Sequence, residues 1–193
     1  IPPCINLNNY NIILEIGANK MKKILIWGLL LILITACSYN SMAIMAVKDY
    51  LDDYINFNNN VEESMNKYVE GENISEEQKK IYKEILERQY RNLNYEIINE
   101  SYEDNKAIIG VKVTVYNLYK VQKDADDYLV NHEEEFYTKG VYDKDKFILY
   151  KLNLMKQTDE RITYLIDFKV NKIENKWIVD QPSNSDLDKI HGT

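Results

Sequence analysis

Cysteine is scarce in this chain, and its scarcity excludes two classes of protein. Only Cys4 and Cys37 occur among the 193 residues, and no cysteine follows Ser38. A domain built from the residues after Ser38 therefore holds neither a disulfide framework nor a paired-cysteine zinc site. Because disulfides are ruled out as a guide to the redox compartment, the location of the protein has to be inferred from another signal.

Glycine, proline and histidine are scarce as well, with six, three and two residues. The sequence has no glycine-rich phosphate-binding loop, no His-Glu-x-x-His motif and no Gly-x-Ser-x-Gly motif. It therefore indicates neither a nucleotide-binding enzyme, nor a zinc peptidase of that type, nor a serine hydrolase, and we expect no cofactor.

The N-terminal region is poor in charge and contains a long apolar run. The first methionine, Met21, opens the segment MKKILIWGLLLILITAC, and we expect residues 1–20 before it to be upstream reading frame rather than translated protein. Lys22 and Lys23 provide a positively charged beginning. The apolar run that follows has 11 residues, 24–34, and is shorter than the ~20 residues of a membrane-spanning helix. These proportions are typical of a secretory signal peptide.

The signal segment ends in ITAC, residues 34–37, which resembles the lipobox of bacterial lipoproteins. The resemblance implies that the thiol of Cys37 receives a diacylglyceryl group and that cleavage falls between Ala36 and Cys37. Residues 21–36 are then signal peptide and residues 37–41 a tether. The acyl chains would anchor the protein at the extracytoplasmic face of the cell membrane, since each buried CH₂ contributes about 0.8 kcal/mol. Two alternatives stay open: Cys37 packs at the end of a core helix, or the helix is an uncleaved anchor.

Acidic residues outnumber basic residues by 31 to 24, which gives a net charge of −7. Residues 1–36 hold three of the basic residues and one acidic residue, so the mature chain would have a net charge of −9. An acidic domain argues against nucleic acid as a partner and against broad contact with an anionic membrane surface. We therefore expect the lipid on Cys37 to bind the membrane, and an envelope protein or a small ligand to be the remaining partner.

The rest of the sequence predicts one domain over residues 42–182. Apolar residues repeat at helical spacing in three segments, which hold the stripes Val47, Tyr50, Leu51, Tyr54 and Ile55, then Val61, Met65 and Tyr68, then Tyr82, Ile85, Leu86, Tyr90 and Leu93. Ser75 with Gln78 forms a capping box at the start of the third segment. Strict alternation then predicts strands with one apolar face, made of Ala107, Ile109, Val111, Val113 and Val115 in one strand and Ile162, Tyr164, Ile166, Phe168 and Val170 in another. The predicted order is three helices, two strands at 93–102 and 107–119, two helices at 120–140 and 143–157, two strands at 161–172 and 176–180, and a polar tail at 183–193. Helices grouped before antiparallel hairpins indicate the α+β class.

This arrangement resembles the nuclear transport factor 2-like (cystatin-like) cone, and the closing stretch ENKWIVD at Glu174–Asp180 is similar to the last hairpin of that fold. The stretches AVKDYL, ERQYRNLNYEI, DADDYL and LDKIHG also resemble a group of uncharacterised lipoproteins of low-GC Gram-positive bacteria. The resemblance implies N-terminal helices packed on a curved antiparallel sheet. Two helices inserted between the hairpins depart from the simplest cone.

Candidate pocket residues come from the tyrosines and from one aspartate. Tyr82, Tyr90, Tyr116 and Tyr164 either line a ligand pocket or pack in the core with their hydroxyl groups hydrogen-bonded. Some cone-shaped relatives are isomerases or dehydratases with an Asp base, and Asp167 would have that role if its face of the sheet were buried. An exposed Asp167 on the solvent side, paired with Lys169 or Lys112, is the alternative.

Two further clusters contain residue types that bind metal ions. His132 with Glu133–Glu135 does not converge on one point, because adjacent helical residues face different directions, and a solvated helix end is the preferred interpretation. Asp124, Asp126 and Asp127 lack the central glycine and final glutamate of a calcium loop. We expect no metal, and we expect His191 in the polar tail to lie at the surface.

Three functions follow as hypotheses. The first is a lipid-anchored, non-catalytic binding or interaction domain. The second is a small-molecule enzyme with Asp167 as base, and the third is a structural envelope protein without a ligand. A deep cavity between helices and sheet favours the first two hypotheses, a filled core favours the third, and a solvent-facing Asp167 removes the enzyme candidate.

Overall fold

The computed structural model describes residues 42–193, of which Ala43–Thr193 form one compact unit. The predicted signal peptide, the predicted lipobox and Cys37 lie outside the described residues. Within residues 42–193 no helix is both long enough and apolar enough to cross a bilayer. The predicted α+β class is confirmed in this range, because helices pack on one face of an antiparallel sheet.

The elements follow the predicted order, with several short additions. Helix α1 covers residues 42–56 of the described range. The other helices are α2 (Asn59–Glu70), α3 (Glu76–Arg91), α4 (Leu118–Asn131), α5 (Lys144–Gln157) and α6 (Asn184–His191). The strands are β1 (Asn94–Glu103), β2 (Lys106–Tyr116), β3 (Tyr137–Thr138), β4 (Val141–Tyr142), β5 (Arg161–Ile173) and β6 (Lys176–Val179), and a 3-10 turn at Glu133–Phe136 precedes β3.

The main sheet has the strand order β1-β2-β5-β6, and all its neighbouring strands are antiparallel. The alternation predicted for β2 is confirmed, because Ile109, Val111 and Val113 are fully buried whereas Lys112 between them is exposed. Val111 lies opposite Ile166 of β5, which is buried on the same face. One face of the sheet therefore forms the core and the other meets solvent.

A bulge interrupts the edge strand β1. Its pairing with β2 shifts register between Ile97 and Asn99, and the side-chain oxygen of Asn99 accepts a hydrogen bond from the backbone N–H of Gly110 at 3.1 Å. A Cβ at position 110 would overlap the Asn99 side chain, so this contact requires glycine. Within the described chain β1 is hydrogen-bonded to β2 alone.

Helix α3 supplies the central apolar stripe of the core. Its predicted capping box is confirmed: the Ser75 hydroxyl accepts from the Gln78 N–H at 3.3 Å, and the Gln78 side chain accepts from the Ser75 N–H at 2.8 Å. The predicted stripe is buried along its whole length and consists of Tyr82, Ile85, Leu86, Tyr90 and Leu93. Helix formation at these positions follows from burial of this stripe against α1 and the sheet.

Two buried glutamines, Gln78 and Gln89, lie on the same stripe about three turns apart. The amide nitrogen of Gln89 donates to the backbone carbonyls of Tyr116 at 3.1 Å and of His191 at 2.9 Å, and its oxygen accepts from the Tyr116 N–H at 2.9 Å. The Gln78 amide donates to the Asp145 carbonyl at 3.2 Å. Gln89 therefore joins α3 to the end of β2 and to α6, and Gln78 joins α3 to the start of α5.

The segment between β2 and β5 has a small core of its own. Ala125, Phe136 and Phe147 are buried together, and the rings of Phe136 and Phe147 meet edge to face with centroids 5.1 Å apart. Arg88 of α3 donates to the side chain of Asp159 at 2.8 Å, just after α5. Contacts with α3 at both ends of α5 thus hold this lobe against the main core.

The predicted helix over residues 120–140 is wrong at its C-terminal end. Helix α4 ends at Asn131, and the chain continues as the 3-10 turn and the β3–β4 hairpin. Lys139 and Gly140 both have positive φ angles, 54° and 82°, which make the tight turn of a hairpin and are incompatible with a helix. On this path Phe136 is buried with Ala125 of α4 and Phe147 of α5.

The predicted polar tail at residues 183–193 is also wrong, since it contains α6 and contributes to the main core. Ile190 is fully buried and His191 is only 8% exposed, so the surface position predicted for His191 is incorrect. Gly192 ends α6 with a φ of 77°, and its carbonyl accepts from the Tyr119 N–H at 2.6 Å. The helix is short and mostly polar, which is why its single buried edge escapes a periodicity search.

Replacing Gln89 by leucine should lower the free energy of unfolding by about 3 kcal/mol or more, because three buried backbone groups lose their partner. It should also release α6, which we expect to detect as lost amide-exchange protection at Ile190 and His191. Gln78→Leu is the matched control, since it destabilises α3 and α5 without touching α6. Unchanged protection of α6 in Gln89→Leu would contradict the assigned role.

Candidate functional site

A cleft of about 460 Å³ opens among α1, α2, α3, α6 and the segment that leads into α6, and none of its described lining residues belongs to the sheet. Five rings line it and define what we call the aromatic cleft: Tyr50, Tyr54, Tyr68, Tyr90 and His191. Val61, Met65 and Leu187 add apolar surface, and exposed polar side chains stand at the mouth: Asp53, Asn60, Ser64 and Gln181. The volume lies within the range of small-molecule sites, roughly 300–1,000 Å³.

Helix α1 places two of the tyrosines side by side. Tyr50 and Tyr54 are one helical turn apart, so they share a face, and their hydroxyl groups lie 3.3 Å from each other. The Tyr50 ring packs against Phe168 of β5 at 5.7 Å, and the Tyr54 ring meets the edge of Tyr90 at 5.2 Å. The sheet and α3 therefore fix both rings from behind.

His191 closes the inner end of the aromatic cleft. Its Nδ1 shares a hydrogen bond of 2.9 Å with the hydroxyl of Tyr90, and its ring lies 4.9 Å from that of Tyr68. Its backbone carbonyl is held by Gln89, as described above. The imidazole is therefore fixed both through its ring and through its backbone.

Burial keeps the walls of the aromatic cleft uncharged. It raises the pKa of Tyr50, Tyr54 and Tyr90 above the ordinary value, so these phenols stay protonated at neutral pH. It lowers the pKa of His191 to about 4, against a smaller opposing effect of the Asp188 carboxylate. At pH 7 the imidazole is therefore neutral.

The mouth carries a negative charge and no positive one. Asp53 is the carboxylate among the lining residues, and neither lysine nor arginine lines the cleft. Within residues 42–193 the Asp53 side chain takes part in no ion pair and no hydrogen bond, whereas Asp52 beside it accepts from the Tyr95 hydroxyl at 2.8 Å. The Asp53 carboxylate is thus free to meet a ligand.

Of the four tyrosines predicted as pocket residues, Tyr90 lines the aromatic cleft. Tyr82 is buried behind it, with its ring 6.3 Å from that of Tyr68. Tyr116 is buried elsewhere, under the guanidinium groups of Arg88 and Arg161, and Tyr164 is half-buried on β5. Neither Tyr116 nor Tyr164 lines the cleft.

Asp167 is exposed, on the face of β5 opposite to Ile166 and Phe168. It lines a separate cavity of about 210 Å³ with Lys169, Asp180 and Asp186, rather than the aromatic cleft. A base whose pKa is raised by burial requires a buried carboxyl group, so the interpretation of Asp167 as that base does not hold.

The His132 cluster and the Asp124–Asp127 cluster make other contacts. His132 stacks on Tyr128 with ring centroids 3.9 Å apart. Asp124 and Asp126 lie on α4 and pair with Lys120 at 3.2 Å and Lys151 at 2.6 Å. Across residues 42–193 no group of three or more His, Cys, Asp or Glu side chains is arranged to hold a metal ion.

The residues that sequence reasoning missed are Tyr50, Tyr54, Tyr68 and His191. The spacing of Tyr50 and Tyr54 was interpreted as part of a core stripe, and an i, i+4 pair of tyrosines does not by itself separate a core from a cleft wall. His191 gave no signal, because its burial depends on long-range contacts with α3. No family model, no curated protein and no solved structure matches this chain.

The stability of the domain should fall as the pH drops from about 6.5 toward 4, through His191. In the unfolded chain the imidazole takes up a proton near pH 6.5, but in the folded state it does so only near pH 4. Between these values the unfolded state binds more protons, so acid favours unfolding, by about 2 kcal/mol between pH 7 and pH 5.

The measurement is urea unfolding at pH 7 and pH 5 for the wild type and for His191→Gln, whose amide can still bond to Tyr90. The carboxylates titrate equally in both proteins, so the difference between the two stability losses gives the contribution of the His191 imidazole. The variant should lose markedly less stability over this interval. Equal losses in the two proteins would contradict a neutral, buried His191.

Proposed function

We propose that this protein is a lipid-anchored, extracytoplasmic lipoprotein whose folded domain binds a small ligand without catalysing a reaction. The aromatic cleft carries the proposal. It is open rather than filled, and its walls come from four helices that other contacts already fix. An open, preformed cleft lined by rings with polar groups at the mouth is the usual form of a ligand site, whereas a structural envelope protein needs no such opening.

Binding is preferred over catalysis because of what lines the cleft. The walls are phenol rings and a neutral imidazole, and Asp53 at the mouth is exposed, so no buried carboxyl group is available there as a strong base. Asp167, the base that the enzyme hypothesis required, lies on the exposed face of the sheet. The enzyme hypothesis is therefore not retained.

The anchoring half of the proposal rests on the sequence from Met21 to Cys37. Its charged beginning, its apolar run of 11 residues and its ITAC ending support acylation at Cys37. Four residues separate Cys37 from the first described residue of α1, which bounds the separation at about 18 Å for a fully extended chain. The proposed location is thus the outer face of the cell membrane, with the acidic domain close to the bilayer.

We further propose that the domain is a variant of the nuclear transport factor 2-like (cystatin-like) cone. The support is the packing of α1 and α3 on one face of a four-stranded antiparallel sheet that ends in the ENKWIVD hairpin. The α4–α5 lobe would then be an insertion between β2 and β5. The aromatic cleft lies among the helices and not between helices and sheet, so it carries the functional argument independently of this architecture.

Changing Cys37 to serine should abolish acylation and leave an uncleaved precursor, because the oxygen nucleophile does not accept the diacylglyceryl group. Mass spectrometry of the intact protein from its own membranes should give a lipidated wild type that begins at Cys37. The wild type should partition into the detergent phase when a non-ionic detergent is separated from water. A mature protein that begins elsewhere and carries no lipid would overturn the anchoring claim.

A tryptophan at position 64 should block the aromatic cleft, since Ser64 is exposed on α2 and stands at the mouth. Native mass spectrometry of protein extracted from the envelope should show a small-molecule adduct on the wild type that is missing from Ser64→Trp. Ser185→Trp is the matched control, because Ser185 is exposed on α6 and does not line the cleft. An adduct that persists in Ser64→Trp, or none in any variant, would refute binding in this cleft.

A further inference from the structure

We propose that the aromatic cleft is specific for a small organic cation, a free molecule that carries a substituted ammonium group. This inference rests on the proposed binding function and names its ligand class. Two observations carry it. The first is the sign of the charges that line the cleft. The second is that the Arg and Lys side chains of the domain lie over aromatic rings outside the cleft and over none inside it, within residues 42–193.

The first observation is that the lining offers negative charge and no positive charge. Asp53 stands at the mouth without an ion-pair partner in the described chain, and neither lysine nor arginine lines the cleft. An anionic ligand would meet an uncompensated carboxylate and no counter-charge. A cationic ligand would pair with the Asp53 carboxylate. Because Asp53 is exposed, water solvates its carboxylate in the free protein, and leaving it unpaired there carries no burial cost.

The second observation concerns tyrosine faces. A cation placed over an aromatic face is attracted by the negative face of the ring. This domain uses that attraction repeatedly: Arg88 lies 4.0 Å and Arg161 4.9 Å from the centroid of Tyr116, and Arg91 lies 5.1 Å from that of Phe57. In residues 42–193, none of the cation–π pairs involves a ring of the aromatic cleft.

The cleft therefore concentrates four tyrosine rings whose faces receive no cation from the protein itself. Tyr50 and Tyr54 stand on α1 directly beside Asp53, so the carboxylate and two rings come from a single helical turn. Tyr68 and Tyr90 come from α2 and α3 and complete the enclosure. A substituted ammonium group fits such a set better than a small metal ion, because it exposes weakly hydrated C–H surface to the rings.

The neutral state of His191 supports the same ligand. An imidazolium at the inner end would repel a bound cation, and burial, by keeping the pKa of His191 at about 4, prevents that charge at physiological pH. The groups packed against this ring are the phenols of Tyr68 and Tyr90, with the Asp188 carboxylate as the charged neighbour. No positive charge therefore faces the ligand from any of them.

The test compares choline with 3,3-dimethylbutan-1-ol, which has the same shape with carbon in place of the charged nitrogen. Isothermal titration uses the full-length lipidated protein in a non-ionic detergent. We expect choline to bind at least about tenfold more tightly than the neutral alcohol, since the cation–π and charge attractions act on choline alone. Glycerophosphocholine, a lipid headgroup, should bind more weakly than choline, because its phosphate finds no cation in the cleft.

Two pairs of variants locate the effect. Asp53→Asn should weaken choline binding about fivefold or more and leave the neutral alcohol unaffected, whereas Asp49→Asn, one turn earlier on α1 and outside the cleft, should change neither. Tyr54→Phe keeps the ring and should retain choline binding, and Tyr54→Leu should weaken it. If Tyr54→Leu fails to fold, the comparison of Asp53→Asn with Asp49→Asn still tests whether the charge in the cleft attracts choline.

Three titration results would overturn the inference: equal affinity for choline and the neutral alcohol, no choline binding by the wild type at millimolar concentration, or equal effects of Asp53→Asn and Asp49→Asn. A neutral or anionic adduct that Ser64→Trp removes in native mass spectrometry would also overturn it. That last result would leave the proposed binding function intact. The absence of any adduct in the wild type would instead remove the binding function itself.

Discussion

The amide of Gln89 is the contact on which the remainder of the domain depends. It is fully buried, and all three of its hydrogen bonds go to backbone groups, two on Tyr116 and one on His191. A buried amide in an apolar stripe is costly unless every partner is present, so its presence ties α3, β2 and α6 into one arrangement. Gly192 fits the same corner, where a Cβ would collide with Gln89 and with the Tyr116 carbonyl.

The aromatic cleft is a consequence of that arrangement. Its inner wall is His191, whose backbone position is set by Gln89 and whose ring is set by Tyr90, and both of these residues belong to α3. Its outer walls belong to α1 and α2, which meet α3 through the apolar core. A site assembled from three consecutive helices at the start of the described domain and from α6 at its end is preorganised by the packing of the whole domain, which lowers the ordering cost of binding.

Elements with strong periodicity were predictable from the sequence, and features that depend on long-range partners were not. The alternating face of β2 and the apolar stripe of α3 follow directly from the spacing of apolar residues. The sequence therefore predicts the α+β class, the capping box and the succession of helices and strands along the chain. The β3–β4 hairpin depends on a turn at Lys139, which has no strong turn signal of its own. Gln89 and His191 are polar residues whose burial is intelligible only once their partners are known. In the cleft, Tyr90 was predicted as a candidate and the rings on α1 and α2 were not.

The bulge in β1 bears on how the protein behaves when many copies are crowded together. A ten-residue edge strand exposes unpaired backbone groups that can template pairing with the edge of another molecule. The register shift near Asn99, where a side chain rather than backbone satisfies Gly110, bends the strand and breaks the regular row of donors and acceptors. For a protein that our proposal confines to a membrane surface, this interruption would oppose sheet-to-sheet aggregation where the local concentration is highest.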